Sequence, residues 1–161
     1  MVAEPCRTVT RSTTVPSFVD TNVLVYAEDK DEKARHPIAR AIVAELWGSR
    51  EGVVSVQVLQ EFFVTTTRKI KHPLSATKAL EIVREYLTWR VIDNTGALLT
   101  AAVELHEKAS LSFWDAMVVQ AAINAGCDRL YSEDLNDGQR FGAVKVVNPF
   151  SRVQPKGRGS G

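Results

Sequence analysis

Four acidic residues of this chain occupy positions that call for an explanation. Asp20 closes the apolar run SFVD and is followed at once by the polar pair Thr21 and Asn22. Glu61 lies in VSVQVLQEFFVTTT, flanked by Val58, Leu59, Phe62 and Phe63, at the border of an apolar helical face. Asp115 falls in LSFWDAMVVQAA, aligned at helical spacing with Val118 and Ala122 and beside a stripe of Trp114, Met117, Val118 and Ala121. Asp134 comes just after the apolar segment RLYS, with Glu133 beside it and Asp137 three residues on. Singly, each has an ordinary reading: a strand-end Asp caps the next helix, a first-turn Asp suits the helix dipole, and a border Glu is solvated. Taken together they do not, because carboxylates converging on one end of a sheet cannot all ionise near neutral pH without a compensating charge. Oxygen ligands alone favour a hard divalent ion, Mg²⁺ or Mn²⁺, over zinc.

The elements that must position these acids are readable from periodicity. SFVD reads as a short strand, and DTNVLVYAED offers three helix-cap residues in a row before an apolar turn. A helical pattern runs from about Glu32 to Ser49, with Ile38, Ile42, Val43, Leu46 and Trp47 on one stripe and Pro37 in the tolerated first turn. Gly52 breaks it, and VVSV reads as a buried strand. Helices follow from about Val56 to Ile70 and from Ser75 to Leu87, then the strand RVID, then helices over Thr95 to Ala109 and Phe113 to Ala125. RLYS and VKVVN are the last two strands, joined by the polar segment EDLNDGQRFG. Strands alternating with helices predict an α/β domain: a central, mainly parallel five-stranded sheet sandwiched by helices. Ligands of such sheets bind beyond the carboxyl ends of the strands, where Asp20 and Asp134 fall.

The chain has 161 residues, 45% hydrophobic and 24% charged, enough for one domain over 17–150 with a core that needs no staples. Residues 1–16 are Thr-rich and 151–161 are basic and glycine-rich; neither has an amphipathic period, and both read as disordered extensions. No apolar run approaches the roughly 20 residues of a membrane span. The N-terminus has no signal-peptide core, so a cytoplasmic location is expected. Cys6 and Cys127 lack partners at metal spacing, and Cys127 is expected to be a small buried residue. The formal charge of +1 announces no nucleic-acid binder by itself.

Other chemistries of this fold class fit less well. A phosphatase with a strand-end aspartyl nucleophile needs a second Asp where this chain has Asn22. A phosphoacceptor receiver needs a Lys after the fifth strand, where Asn148 and Pro149 stand, although Asp93 does end the third. There is no glycine-rich phosphate loop, and His36, His72 and His106 fall on or beside polar helix faces as surface residues.

The order FVDTNVLVYA, VLQEFF, LSFWDAMVVQAA, LYSEDLNDGQ and VVNPF resembles the PIN-domain nucleases, and within them the VapC-type ribonuclease toxins of toxin–antitoxin pairs. The resemblance covers about Ser17 to Phe150. It implies Asp20, Glu61 and Asp115 as the first three catalytic and metal-binding acids, with Asp134 the most natural fourth and Asp137 the alternative. It also implies supporting roles for Asn22 and Ser132. The implied activity is Mg²⁺-dependent hydrolysis of RNA phosphodiesters by metal-activated water, with Mn²⁺ able to substitute and one or two metals possible. A nuclease of this fold acting on DNA or in RNA maturation is the alternative, and a silent RNA-binding module a more remote one.

An RNA substrate needs a cationic surface. Arg68, Lys69 and Lys71 cluster at the end of the Glu61 helix, with His72 adjacent, and Arg35, Arg40 and Arg140 could join them. Cations that merely suit the helix dipole are the competing explanation. Trp114 could stack on a base, but its place beside Phe113 predicts a core residue. The resemblance further implies a homodimer and a small antitoxin partner. Leu59, Phe63, Leu80 and Leu87 offer more apolar surface than one small sheet needs.

Overall fold

Strand β1 (Ser17–Val19) buries all three of its residues. Successive strand side chains point to opposite faces, so the sheet must be covered on both sides here. The computed structural model that shows this describes residues 15–153. Most of the two expected extensions, and Cys6 with them, therefore lie outside the described residues; Cys127 is buried and free.

Helix α1 (Thr21–Glu28) follows β1 directly, then α2 (Arg35–Ser49), strand β2 (Gly52–Ser55), α3 (Val56–Arg68) and α4 (Ala76–Tyr86). Strand β3 (Arg90–Ile92), α5 (Gly96–Ala109), α6 (Phe113–Asn124), β4 (Arg129–Tyr131), β5 (Arg140–Phe141) and β6 (Val144–Val147) complete the order. The sheet runs β3-β2-β1-β4-β6-β5, and every pairing is parallel except β5 with β6. Among the described residues the expected α/β architecture is present, with six strands instead of five. The extra strand is a two-residue antiparallel edge, too short to show an alternating pattern, which Gly142 turns back onto β6 at a φ of 59°.

Helices α3, α4, α5 and α6 start as polar caps dictate. Ser55, Ser75, Thr95 and Ser112 accept through their side-chain oxygens from the backbone N–H groups of Val58, Lys78, Leu98 and Asp115. Helix α2 begins at Arg35, later than expected, and ends on Arg50 in the left-handed region at φ 60°. Gly52 thus has a different task from stopping this helix: a Cβ there would meet the Trp89 ring at 2.5 Å. Helix α6 is apolar nearly all round and buries Ala116, Met117, Val118, Val119, Ala121 and Ala122, as a helix lodged in the core must.

The topology fixes where a ligand can sit. From central β1 the chain builds β2 and β3 to one side, then returns after α6 to lay β4 on the other side. Between the carboxyl ends of β1 and β4 the outgoing connections diverge and leave a crevice. Asp20 and Ser132 flank it, joined across the strands by the Asp20 N–H donating to the Tyr131 carbonyl at 2.9 Å.

Candidate active site

Asp20 is the N-cap of α1 and is only 5% exposed. Its Oδ1 accepts from the Thr21 N–H at 2.7 Å and its Oδ2 from the Ser132 hydroxyl at 2.7 Å. These two donors favour the ionised form, but burial opposes it more strongly, and the charges of Asp134 and Glu61 add to burial. The carboxyl is pushed up to about 7. Among the described residues no Lys or Arg pairs with any of the four acids.

Glu61 faces the same crevice from α3. Its Oε2 accepts from the Thr21 hydroxyl at 3.0 Å and its Oε1 from Gln57 Nε2 at 2.9 Å. Asp134 stands at the open rim, where Asn22 Nδ2 donates to its Oδ2 at 3.1 Å and the Ser132 hydroxyl accepts from its N–H at 3.2 Å. Partial burial, followed by the neighbouring Asp115 charge, raises its carboxyl above the usual range. Asp115 sits in the first turn of α6, and its carboxylate makes no hydrogen bond or ion pair among the described residues. Ser132 therefore serves two acids at once, and Asn22 ties the first acid's helix to the fourth acid.

The competing acids are occupied elsewhere. Glu133 accepts from the Tyr26 hydroxyl at 2.6 Å and from Arg35 Nε at 2.8 Å, and the Arg35 guanidinium also lies over the Tyr26 ring. Asp137 accepts from the Asn148 N–H at 2.9 Å. Of the candidates after β4, Asp134 is the one that joins the cluster. Arg35 is thus a strut that fixes this loop, Arg40 lies by Glu28 and Tyr86, and Arg140 is on the edge strand. Arg68, Lys69 and Lys71 are exposed at the end of α3, as expected. Sequence motifs alone do not reveal Thr21, Gln57 and Tyr26 as partners of the acids. Only Gln57 has a local signal, its spacing of four residues before Glu61 on one helix.

Trp114 corrects the expectation of a core residue. It is 61% exposed, because the buried part of α6 starts at Ala116 and its first turn stands at the crevice rim. Next to Asp20, a cleft of about 260 Å³ is walled by Thr21, Asn22, Tyr26, Glu61, Thr65 and Asp134.

Among the described residues no three His, Cys, Asp or Glu groups form a ready-made metal cage. The donor set nevertheless fits a hydrated hard cation, which takes one or two carboxylates directly and keeps several waters. A buried carboxylate without a cationic partner and the buried Asn22 Oδ1, which has no hydrogen-bond partner, are the groups such an ion and its waters would satisfy.

The profile of the PIN domain matches residues 17–140, and the chain belongs to the PIN-domain family. It is similar to Ribonuclease VapC24 of Mycobacterium tuberculosis, 24% identical over 143 residues that cover 83% of this chain and 96% of that protein. Among solved structures it resembles VapC20 of M. tuberculosis, a sarcin–ricin-loop-cleaving toxin, at 27% identity and a TM-score of 0.57, covering 72% of this chain and 88% of that one. A toxin–antitoxin complex from Klebsiella pneumoniae shares the fold at 17% identity and a TM-score of 0.62, covering 83% and 97% of the two chains.

Proposed function

We propose that the protein is a Mg²⁺-dependent endoribonuclease of the VapC kind, acting in the cytoplasm as the toxin of a toxin–antitoxin pair. The observation that carries this reading is the convergence of Asp20, Glu61 and Asp134, with Asp115 close enough to act on Asp134, at the β1/β4 crevice with no cationic partner. Asp20 and Asp115 would be the primary ligands of the cation, and Glu61 and Asp134 would bind it further or hold water. When bound, the ion supplies positive charge to the phosphodiester and lowers the pKa of water, which removes the need for a side-chain nucleophile. Mn²⁺ is expected to substitute.

The chain's own groups prepare that site. The Ser132 hydroxyl and Thr21 N–H aim both oxygens of Asp20, and Thr21 and Gln57 do the same for Glu61. The Tyr26–Glu133–Arg35 network anchors the loop that carries Ser132 and Asp134. Arg68, Lys69 and Lys71 offer positive charge to the RNA backbone. A partner protein is supported by a groove of about 460 Å³ between α3 and α4, lined by Leu59, Phe63, Val64, Leu80, Val83 and Leu87. We assign this face to protein contacts, with the antitoxin or with a second copy in a homodimer. Among the described residues no helix is long and apolar enough to cross a membrane.

The test is cleavage of structured RNA by the purified chain with Mg²⁺, with EDTA, and after Asp20→Ala or Asp115→Asn. Each removal is expected to lower the rate by about a hundredfold or more. Activity that survives both substitutions overturns the reading. Expression in a bacterial host separates a toxin from a nuclease of RNA maturation, since only the toxin arrests growth in an Asp20-dependent way.

A further inference from the structure

Beside the acidic cleft lies a second groove of about 380 Å³, lined by Gln60, Glu61, Val64, Thr65, Lys69 and Trp114. It is continuous with the cleft, because Glu61 and Thr65 wall both. Glu61, Thr65 and Lys69 follow at four-residue steps along α3, so one helix side presents a carboxylate, a hydroxyl and an ammonium in turn. Opposite them stands the exposed Trp114, one residue before Asp115. Its ring is braced edge-on by Phe113 at a centroid distance of 5.0 Å, which limits its motion while leaving most of it open.

From this juxtaposition we infer that the groove is a nucleobase subsite: a base adjacent to the cut phosphodiester stacks on Trp114 while Lys69 meets a flanking phosphate. The inference rests on the ribonuclease reading and adds what form of RNA the site accepts. An aromatic platform, an amide and a cation within reach of phosphate chemistry are the parts with which proteins hold unpaired nucleotides. A base inside a duplex already stacks on both neighbours and cannot reach the ring. The substrate is therefore a single-stranded or looped segment. The groove's mixed charge separates it from the apolar α3–α4 groove, where a protein face fits better.

The test measures binding of a short fluorescein-labelled single-stranded RNA, and of the same RNA closed into a duplex, in Mg²⁺. Asp20→Asn is present in every protein so that the RNA stays intact; the affinity is then that of the cation-free site, and only the ratio between proteins is read. Trp114→Ala is expected to weaken single-strand binding about tenfold, to leave duplex binding unchanged, and to be rescued largely by Trp114→Phe. The same single-stranded RNA with an abasic residue walked through each position in turn is expected to lose that factor at one position with the protein that keeps Trp114, and to lose nothing further there with the Trp114→Ala variant. Equal binding by Trp114→Ala and its parent, or additive losses from the truncation and the abasic residue, overturn the subsite. A truncation that dissociates a dimer but spares RNA binding overturns it too and assigns the groove to a second copy. Cleavage by the unmodified chain is measured separately. If cleavage is absent while the Trp114 dependence holds, the nuclease reading falls and the base subsite stands.

Discussion

Asp20 carries the largest electrostatic conflict among the four acids. Two hydrogen bonds hold its carboxylate, yet burial and two neighbouring acids lift its ionisation from the ordinary 3.8 to about 7. Between those values the folded, metal-free chain keeps a proton that the unfolded chain has released. Stability from this group is thus greatest in acid and declines as pH rises from about 4 to about 7. Asp20→Asn removes the charge, and its amide oxygen can still accept one of the two hydrogen bonds. Without metal, the variant is expected to melt above the parent at pH 8, by an amount worth about 4 kcal/mol at most, and close to it near pH 4. Mg²⁺ is expected to raise the parent's melting temperature at pH 8 and not the variant's. Scanning calorimetry at both pH values checks this, and a variant that melts no higher at pH 8 contradicts it.

The neighbourhood of Gly52 shows how a strand can be set by a side chain far along the chain. The Trp89 ring occupies the space of the missing Cβ and packs in turn with Trp47 and Tyr86. Gly52→Ala is expected to force that aromatic cluster to shift at a cost of about 1–3 kcal/mol, read from urea unfolding. RNA cleavage per folded molecule is expected to stay unchanged, because Gly52 begins β2 at the end remote from the acids. From the sequence, Gly52 reads as a helix stop, since Trp89 is invisible at that distance along the chain. The longer strands and the capped helices are legible because apolar runs and cap residues are local signals. Strand β5 is not, being two residues formed by a turn. The fourth acid stays ambiguous in the sequence because Glu133, Asp134 and Asp137 are close neighbours; Tyr26 and Arg35 claim the first, Asn148 the last, and only the fold reveals both. Trp114 is misread because a helical stripe does not tell where along its length a helix enters the core.

Across the molecule, charge and topology qualify each other. Residues 17–150 carry fifteen basic and eighteen acidic groups, so this span would repel RNA if the four clustered acids stood uncompensated. Compensation of those four leaves a near-neutral surface with a local cationic end at α3. RNA affinity is therefore expected to be modest and to fall about tenfold or more in EDTA, measured by anisotropy at fixed ionic strength. Binding as tight in EDTA as in Mg²⁺ contradicts this balance. The fold class is legible from the alternation of strands and helices, but the crevice needs β4 laid beside β1, a pairing between distant parts of the chain. The same pairing has a consequence in time. Ser132 reaches Asp20 across 112 residues of sequence, and Asn22 reaches Asp134 across the same span. Such contacts close late, after the entropy of a long loop has been overcome. A chain still emerging from the ribosome with β1, β2 and β3 complete would carry Asp20 and Glu61 but neither Asp115 nor Asp134, and no Ser132 hydroxyl to orient the first acid. The four acids thus come together only after α6 and β4 have been made, and any cutting of RNA that depends on them waits for those elements.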